Sequence, residues 1–70
     1  MTYREGTWVI DSVSGRLGQV MGEFGQRVAL RGPGGGTEWE ADPVALRLAT
    51  RAEREAAGVR GAEATGGVVA

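Results

Sequence analysis

Few residue types in this sequence could carry out acid–base or nucleophilic chemistry. The chain has no histidine, no cysteine and no lysine. General acid–base catalysis most often uses His, and nucleophilic catalysis needs an activated Ser, Cys or Lys. Ser12 and Ser14 remain, but they stand in a turn signal and have no histidine base. A domain this small also has no room for a deep cleft. We therefore expect no enzymatic activity, no catalytic residues and no cofactor.

Three carboxylates at alternate positions offer oxygen ligands: Glu38, Glu40 and Asp42. A hard cation such as Ca²⁺ needs six to eight oxygens, usually held by a loop. A strand does not supply that geometry, and charged neighbours on one strand face are typical of a solvated surface. The sequence therefore predicts neither a metal site nor a catalytic carboxylate pair here.

The glycine-rich stretch Gly32–Gly36 is the next candidate site. Glycine loops cradle phosphates when they join a strand to a helix N-terminus and carry a lysine. This stretch lies between two predicted strands and has no lysine. We therefore expect a flexible hairpin connection rather than a phosphate site.

Aromatic and arginine side chains are the remaining candidates for binding. Trp39 shares a strand face with Thr37 and Ala41, which favours a place in the core, although it is retained among the candidate contacts. Trp8 lies on the face opposite Val9, so core and interface are both open for it. Phe24 stands in a turn signal, which favours an exposed contact for a protein partner.

Arginines on neighbouring predicted strands could form a stripe: Arg16, Arg27 and Arg31. Arginine combined with aromatics is the pattern of single-stranded nucleic-acid binding. The formal net charge is −1, however, and Glu38 and Glu40 are placed to form cross-strand ion pairs with Arg27 and Arg31. Nucleic-acid binders are usually basic, and this chain is not. A protein is therefore the favoured partner, and nucleic acid is the alternative.

Glycine and turn residues divide the chain into short β-type segments. Strands are expected near residues 6–11, 16–22, 26–31, 37–41 and 46–49. Asp42-Pro43 is a helix-start signal with room only for one 3₁₀ turn. Gly18, inside the second strand, indicates a bulge or a place where another backbone comes close. The predicted core consists of Val9, Leu17, Val20, Val28, Leu30, Trp39, Leu46 and Leu48; keeping both Leu17 and Val20 inside requires that bulge.

A short helix is predicted over residues 51–57. Thr50 and Glu53 match a capping box, and Gly58 is placed to end the helix. Residues 59–70 show no periodicity and are expected to be a disordered tail. The predicted organisation is a small barrel over residues 1–50, the helix over 51–58 and the tail.

The strand spacing resembles that of SH3-like small barrels over Gly6 to Ala49. Within it, Gly6-x-x-Val9 followed by Gly15-x-x-Gly18-x-Val20 is similar to the KOW-type pattern of ribosomal proteins and transcription elongation factors. KOW modules that touch RNA usually carry Lys and Arg in this first loop, where this chain has Asp11, two serines and Arg16. The centre Leu30-Arg31-Gly32-Pro33-Gly34-Gly35-Gly36-Thr37-Glu38-Trp39 is also similar to short uncharacterised actinobacterial proteins.

These features together predict a mainly β protein: a five-stranded SH3-like small barrel with a short C-terminal helix. The expected function is a non-catalytic protein-interaction or accessory module. Its partner is another protein, a second copy of the chain included. The alternative is a KOW-like nucleic-acid-binding accessory factor. The opening residues are too polar for a signal peptide and no apolar run reaches the length of a membrane span, so we expect a cytoplasmic protein without a membrane partner.

Overall fold

A five-stranded antiparallel sheet forms most of the computed structural model, which describes residues 3–59. Its strands are β1 (Trp8–Asp11), β2 (Arg16–Phe24), β3 (Arg27–Arg31), β4 (Glu38–Ala41) and β5 (Leu46–Leu48). A 3₁₀ turn (Pro43–Ala45) precedes β5, and α1 (Arg51–Ala56) follows it. The prediction of a mainly β fold with five strands and a short C-terminal helix is therefore confirmed.

The turns form where the sequence provides glycine. Gly15 and Gly25 have φ values of 74° and 61° in the β1–β2 and β2–β3 turns, a region that L residues rarely adopt. In the β3–β4 loop the N–H of Gly32 donates to the Thr37 carbonyl at 3.0 Å. The glycine stretch is thus a hairpin connection, as predicted.

The sheet is open, and the predicted closure into a barrel is wrong. The strand order is β4-β3-β2-β1-β5, so that β4 and β5 are its two edges and do not pair with each other. Both edges are short, at four and three residues. A 3₁₀ turn that begins at Pro43 ends the extended chain after β4.

The core lies on one face of the sheet, which we call the inner face. Its buried cluster contains Val9, Val20, Val28, Leu30, Ala41 and Leu46, with Tyr3 and Trp39 packed against it. Five of the eight predicted core residues are therefore buried, and Trp39 is half-buried against them. The prediction that Leu48 belongs to the core is wrong, because this residue is 60% exposed. It pairs with Val9, but it ends a three-residue edge strand, where no neighbouring strand covers it.

The bulge in β2 lies at Met21 and not at Gly18. Pairing with β1 runs without interruption from Asp11↔Arg16 to Trp8↔Gln19, whereas the register with β3 shifts between Val20 and Gly22. Because no bulge separates Leu17 from Val20, strand alternation puts Leu17 on the face opposite Val20. Leu17 is accordingly half-buried rather than part of the core cluster.

Hydrogen bonds at both ends of helix α1 fix where the helix begins and ends. The Thr50 hydroxyl accepts from the Glu53 N–H at 3.1 Å, and the Glu53 carboxylate accepts from the Thr50 N–H at 2.8 Å, which confirms the capping box. Gly58 has a φ of 85°, and the Val59 N–H donates to the Arg54 carbonyl at 2.8 Å. These contacts form a Schellman-type end. The predicted disordered tail lies outside the described residues apart from Val59.

Candidate interaction surface

Trp39 reaches across the inner face from an edge strand to β1. Its Nε1–H donates to Oδ2 of Asp11 at 2.9 Å, although β3 and β2 lie between the two strands. The indole passes over Gly18, where an added Cβ would lie 2.8 Å from Cη2 of the ring. Gly18 is therefore required by the approach of this side chain, and neither of the two predicted reasons, a bulge or a close backbone, accounts for it.

Asp11 is a buried carboxylate at the end of β1. Burial raises its pKa, but the hydrogen bonds from Trp39, from the Val13 and Ser14 backbone and from the Ser14 side chain outweigh that effect and lower the pKa overall. The Val13 N–H donates to Oδ1 at 3.0 Å. The group is thus held as a carboxylate, and it anchors both the indole and the β1–β2 turn.

Arg16 covers the indole from the solvent side. Its guanidinium carbon lies 3.8 Å from the centroid of the Trp39 ring, within the range of a cation–π contact. Arg16 makes no ion pair within residues 3–59. Of the three arginines in the predicted stripe, Arg16 alone belongs to this inner-face cluster.

Arg27 and Arg31 lie on the other face of the sheet, and both are paired with glutamates of β4. Nε of Arg31 donates to Oε2 of Glu38 at 3.0 Å, and a second nitrogen of the same guanidinium contacts the same oxygen. Nε of Arg27 lies 3.7 Å from Oε1 of Glu40. The predicted cross-strand ion pairs are confirmed, and the structure does not bring the three arginines into one stripe.

Trp8 is half-buried, with its indole nitrogen enclosed. Its carbonyl accepts from the Ala49 N–H at 2.9 Å, which ties β1 to the segment that leads into α1. Arg54 of α1 donates to the Ala49 carbonyl at 3.2 Å. The residue is therefore part of the junction between sheet and helix and offers only part of its surface to a partner.

Phe24 is 63% exposed at the end of β2. The last backbone hydrogen bonds on the β1 side of β2 join Val20 to Gly6 and Thr7, at 2.8 Å each. Beyond that point, within residues 3–59, β2 pairs only with β3. The segment Met21–Arg27 therefore extends beyond β1 as a hairpin, which we call the Phe24 hairpin.

Two contributions to this arrangement were missed from the sequence. Asp11 reads as a turn former, and nothing local indicates that it accepts a bond from a residue 28 positions away. Tyr3 lies before the first strand, yet its hydroxyl donates to the Leu46 carbonyl at 3.3 Å. Gly18, a glycine within a strand, was the available sequence signal for the contact between Trp39 and Asp11. No periodic pattern in the sequence indicates the contact between Tyr3 and Leu46.

Comparisons with family models, curated proteins and solved structures find no match to this chain. The resemblance to SH3-like barrels, to KOW modules and to actinobacterial proteins therefore stays a prediction. Within residues 3–59, no helix is long and apolar enough to cross a membrane. The same part of the chain shows no group of three or more acidic, His or Cys side chains arranged to hold a metal ion.

Proposed function

We propose that this chain is a non-catalytic protein-interaction module whose contact surface is the Phe24 hairpin. The supporting observation is the distribution of the aromatic side chains. Tyr3 and Trp39 pack against the core, and Trp8 is half-buried at the junction with α1. Phe24 alone among them is largely exposed, and Met21, 37% exposed, lies on the same hairpin.

An exposed aromatic on a projecting hairpin is a natural anchor for a partner. Aromatic side chains bury much apolar area with little loss of conformational freedom, and they dominate the energy of many interfaces. The fold gains little from Phe24, because most of its surface is left in water. Its contribution to affinity can therefore be separated from its contribution to stability.

Affinity capture from the native host, with the full chain as bait, tests the proposal. We expect Phe24→Ala to lose the specific partner that the unchanged chain retains. Val44→Ala is the matched control, since Val44 is an apolar side chain with 89% exposure on the 3₁₀ turn. Sedimentation at several concentrations, with the same variants, detects association between copies of the chain.

The proposal fails if Phe24→Ala and Val44→Ala recover the same partners and show the same sedimentation as the unchanged chain. Melting curves for both variants provide the necessary check on folding. A variant that melts like the unchanged chain but loses its partner has lost a contact and not its structure.

Single-stranded nucleic-acid binding is the second candidate, and the stacking of Arg16 on Trp39 favours it. Arginine beside an aromatic ring is an arrangement that such proteins use to hold a base. The ion pairs of Arg27 and Arg31 count against it, because they neutralise charge that phosphates need. Titration with a single-stranded RNA at low salt tests this candidate: no binding would dispose of it, and salt-sensitive binding lost in Arg16→Gln would favour it.

A further inference from the structure

Helix α1 is attached to the sheet by charged side chains. Of its six residues, only Glu53 and Arg54 are half-buried, and the others are exposed. Two nitrogens of the Arg47 guanidinium donate to the two carboxylate oxygens of Glu53, at 2.9 and 2.6 Å. Arg54 donates to the Ala49 carbonyl at 3.2 Å. Because no apolar side chain within Arg51–Ala56 is buried, the hydrophobic effect contributes little to holding this helix in place.

The Glu53 carboxylate couples the formation of α1 to its attachment. Its Oε1 accepts from the Thr50 N–H at 2.8 Å, which caps the helix, and also from Arg47 of β5. A helix of six residues is unstable in water without other support. Loss of the contact with Arg47 therefore weakens the helix itself, so that α1 detaches and unfolds as one unit.

Trp8 lies beside this attachment. Trp8 and Ile10 flank a buried core residue of β1, so their side chains share the face opposite the inner face. Arg47 pairs with Ile10 and lies on that same face. The Trp8 carbonyl and the Arg54 guanidinium both bond to Ala49, which is only 7% exposed. The attached helix therefore helps to shield Trp8 from solvent.

The attached state also leaves two polar atoms without partners. Nε1 of Trp8 and Nε of Arg54 are enclosed, and neither has a hydrogen-bond acceptor within residues 3–59. A buried donor without a partner lowers stability, and water can satisfy both donors once the helix detaches. The core cluster described above includes no residue of α1. The sheet therefore stays folded when α1 leaves it.

We infer that α1 is a releasable cover over Trp8, held to the sheet by the ion pair between Arg47 and Glu53. In the attached state the indole is half-buried. In the released state it is exposed as a second aromatic contact, separate from the Phe24 hairpin. The sequence left core and interface both open for Trp8, and the two states of α1 provide one of each. The inference does not depend on the proposed function, because none of these contacts involves Phe24.

Hydrogen exchange in the full, isotope-labelled chain tests the inference. The indole N–H of Trp8 and the helix amides of Arg54 and Ala57 should show one common protection factor. That factor should be at least about 10-fold below the protection of the Val28 and Leu30 amides in β3. A local opening of α1 needs less free energy than unfolding of the sheet, which explains the difference.

Three variants locate the effect. Arg47→Gln removes the ion pair but keeps the cap that Glu53 provides, and it should raise the exchange rate of the Trp8 indole about 1.5- to 5-fold. Glu53→Ala also removes the cap and should raise the rate about 10-fold or more. Arg31→Gln is the matched control. It breaks an exposed pair with Glu38 between β3 and β4, which stays intact when α1 opens, so the rate should not change.

Four results would overturn the inference. If the Trp8 indole is protected as strongly as the amides of β3, α1 leaves only when the whole chain unfolds. If the indole has no protection, α1 does not cover it. An unchanged exchange rate in Arg47→Gln, or an equal increase in Arg31→Gln, would show that the ion pair between Arg47 and Glu53 does not hold the cover.

Discussion

Replacing Gly18 with alanine should displace the Trp39 ring. The new Cβ would lie 2.8 Å from Cη2 and 3.2 Å from Cζ2 of Trp39, and 3.1 Å from Cβ of Leu30. Overpacking of this kind costs about 1–3 kcal/mol. A ring pushed aside also loses its bond to the Asp11 carboxylate, and a hydrogen bond to a charged group contributes about 1.5–3 kcal/mol. Since the two losses overlap, we expect about 2–4 kcal/mol in total.

A loss of that size is large for this chain, because a core in so short a domain rarely supplies more than about 3–5 kcal/mol. Urea unfolding measures the loss, and the indole N–H signal of Trp39 reports the displacement. Gly32→Ala is the matched control: its Cβ would meet nothing closer than 3.7 Å, and its φ is not in the left-handed region. Unchanged stability and an unchanged Trp39 signal in Gly18→Ala would refute the reasoning.

Further expectations concern the polar contacts. Trp39→Phe keeps a ring over Gly18 but removes the Nε1–H donor. Because buried Asp11 loses that bond, the free energy of unfolding measured in urea should fall by about 1–3 kcal/mol. A loss below the error of the measurement would contradict this expectation. Paired with Arg47, Glu53 has its pKa lowered from 4.5 to about 2, so its contribution to stability is complete above about pH 4.5 and is lost as the pH falls towards 2. Arg47→Gln should raise the pKa of Glu53 measured by NMR titration, and an unchanged pKa would refute that pairing. Arg31→Gln should cost less than about 1 kcal/mol, because its ion pair is exposed.

Local signals were sufficient to predict the ends of elements. The capping box at Thr50 and Glu53, the helix end at Gly58 and the Asp42-Pro43 turn depend on neighbours within a few residues. Each was predicted from the sequence and each is present. Asp42 accepts from the Val44 N–H at 3.1 Å, as an N-cap residue should.

Contacts between distant residues could not be predicted in the same way. The two explanations of Gly18 were a bulge and a close backbone, and neither included the Trp39 ring, because its position depends on a contact across the sheet. Placing the bulge at Gly18 wrongly put Leu17 inside. The burial of Leu48 was wrong for a related reason: alternation gives the face of a residue but not whether its strand is an edge. Whether the sheet closes likewise depends on how the two edge strands, β4 and β5, end.

The inner-face contact and the Phe24 hairpin lie in separate parts of the molecule, which makes stability and binding independently testable. The bond between Trp39 and Asp11 joins β4 to β1 across two intervening strands. Phe24 lies at the end of β2 and is mostly in water. Substitutions at Gly18 or Trp39 should therefore lower stability and affect partner binding only through unfolding. Substitution of Phe24 should weaken partner binding and leave stability nearly unchanged. A side chain that is mostly in water contributes little to the stability of the fold.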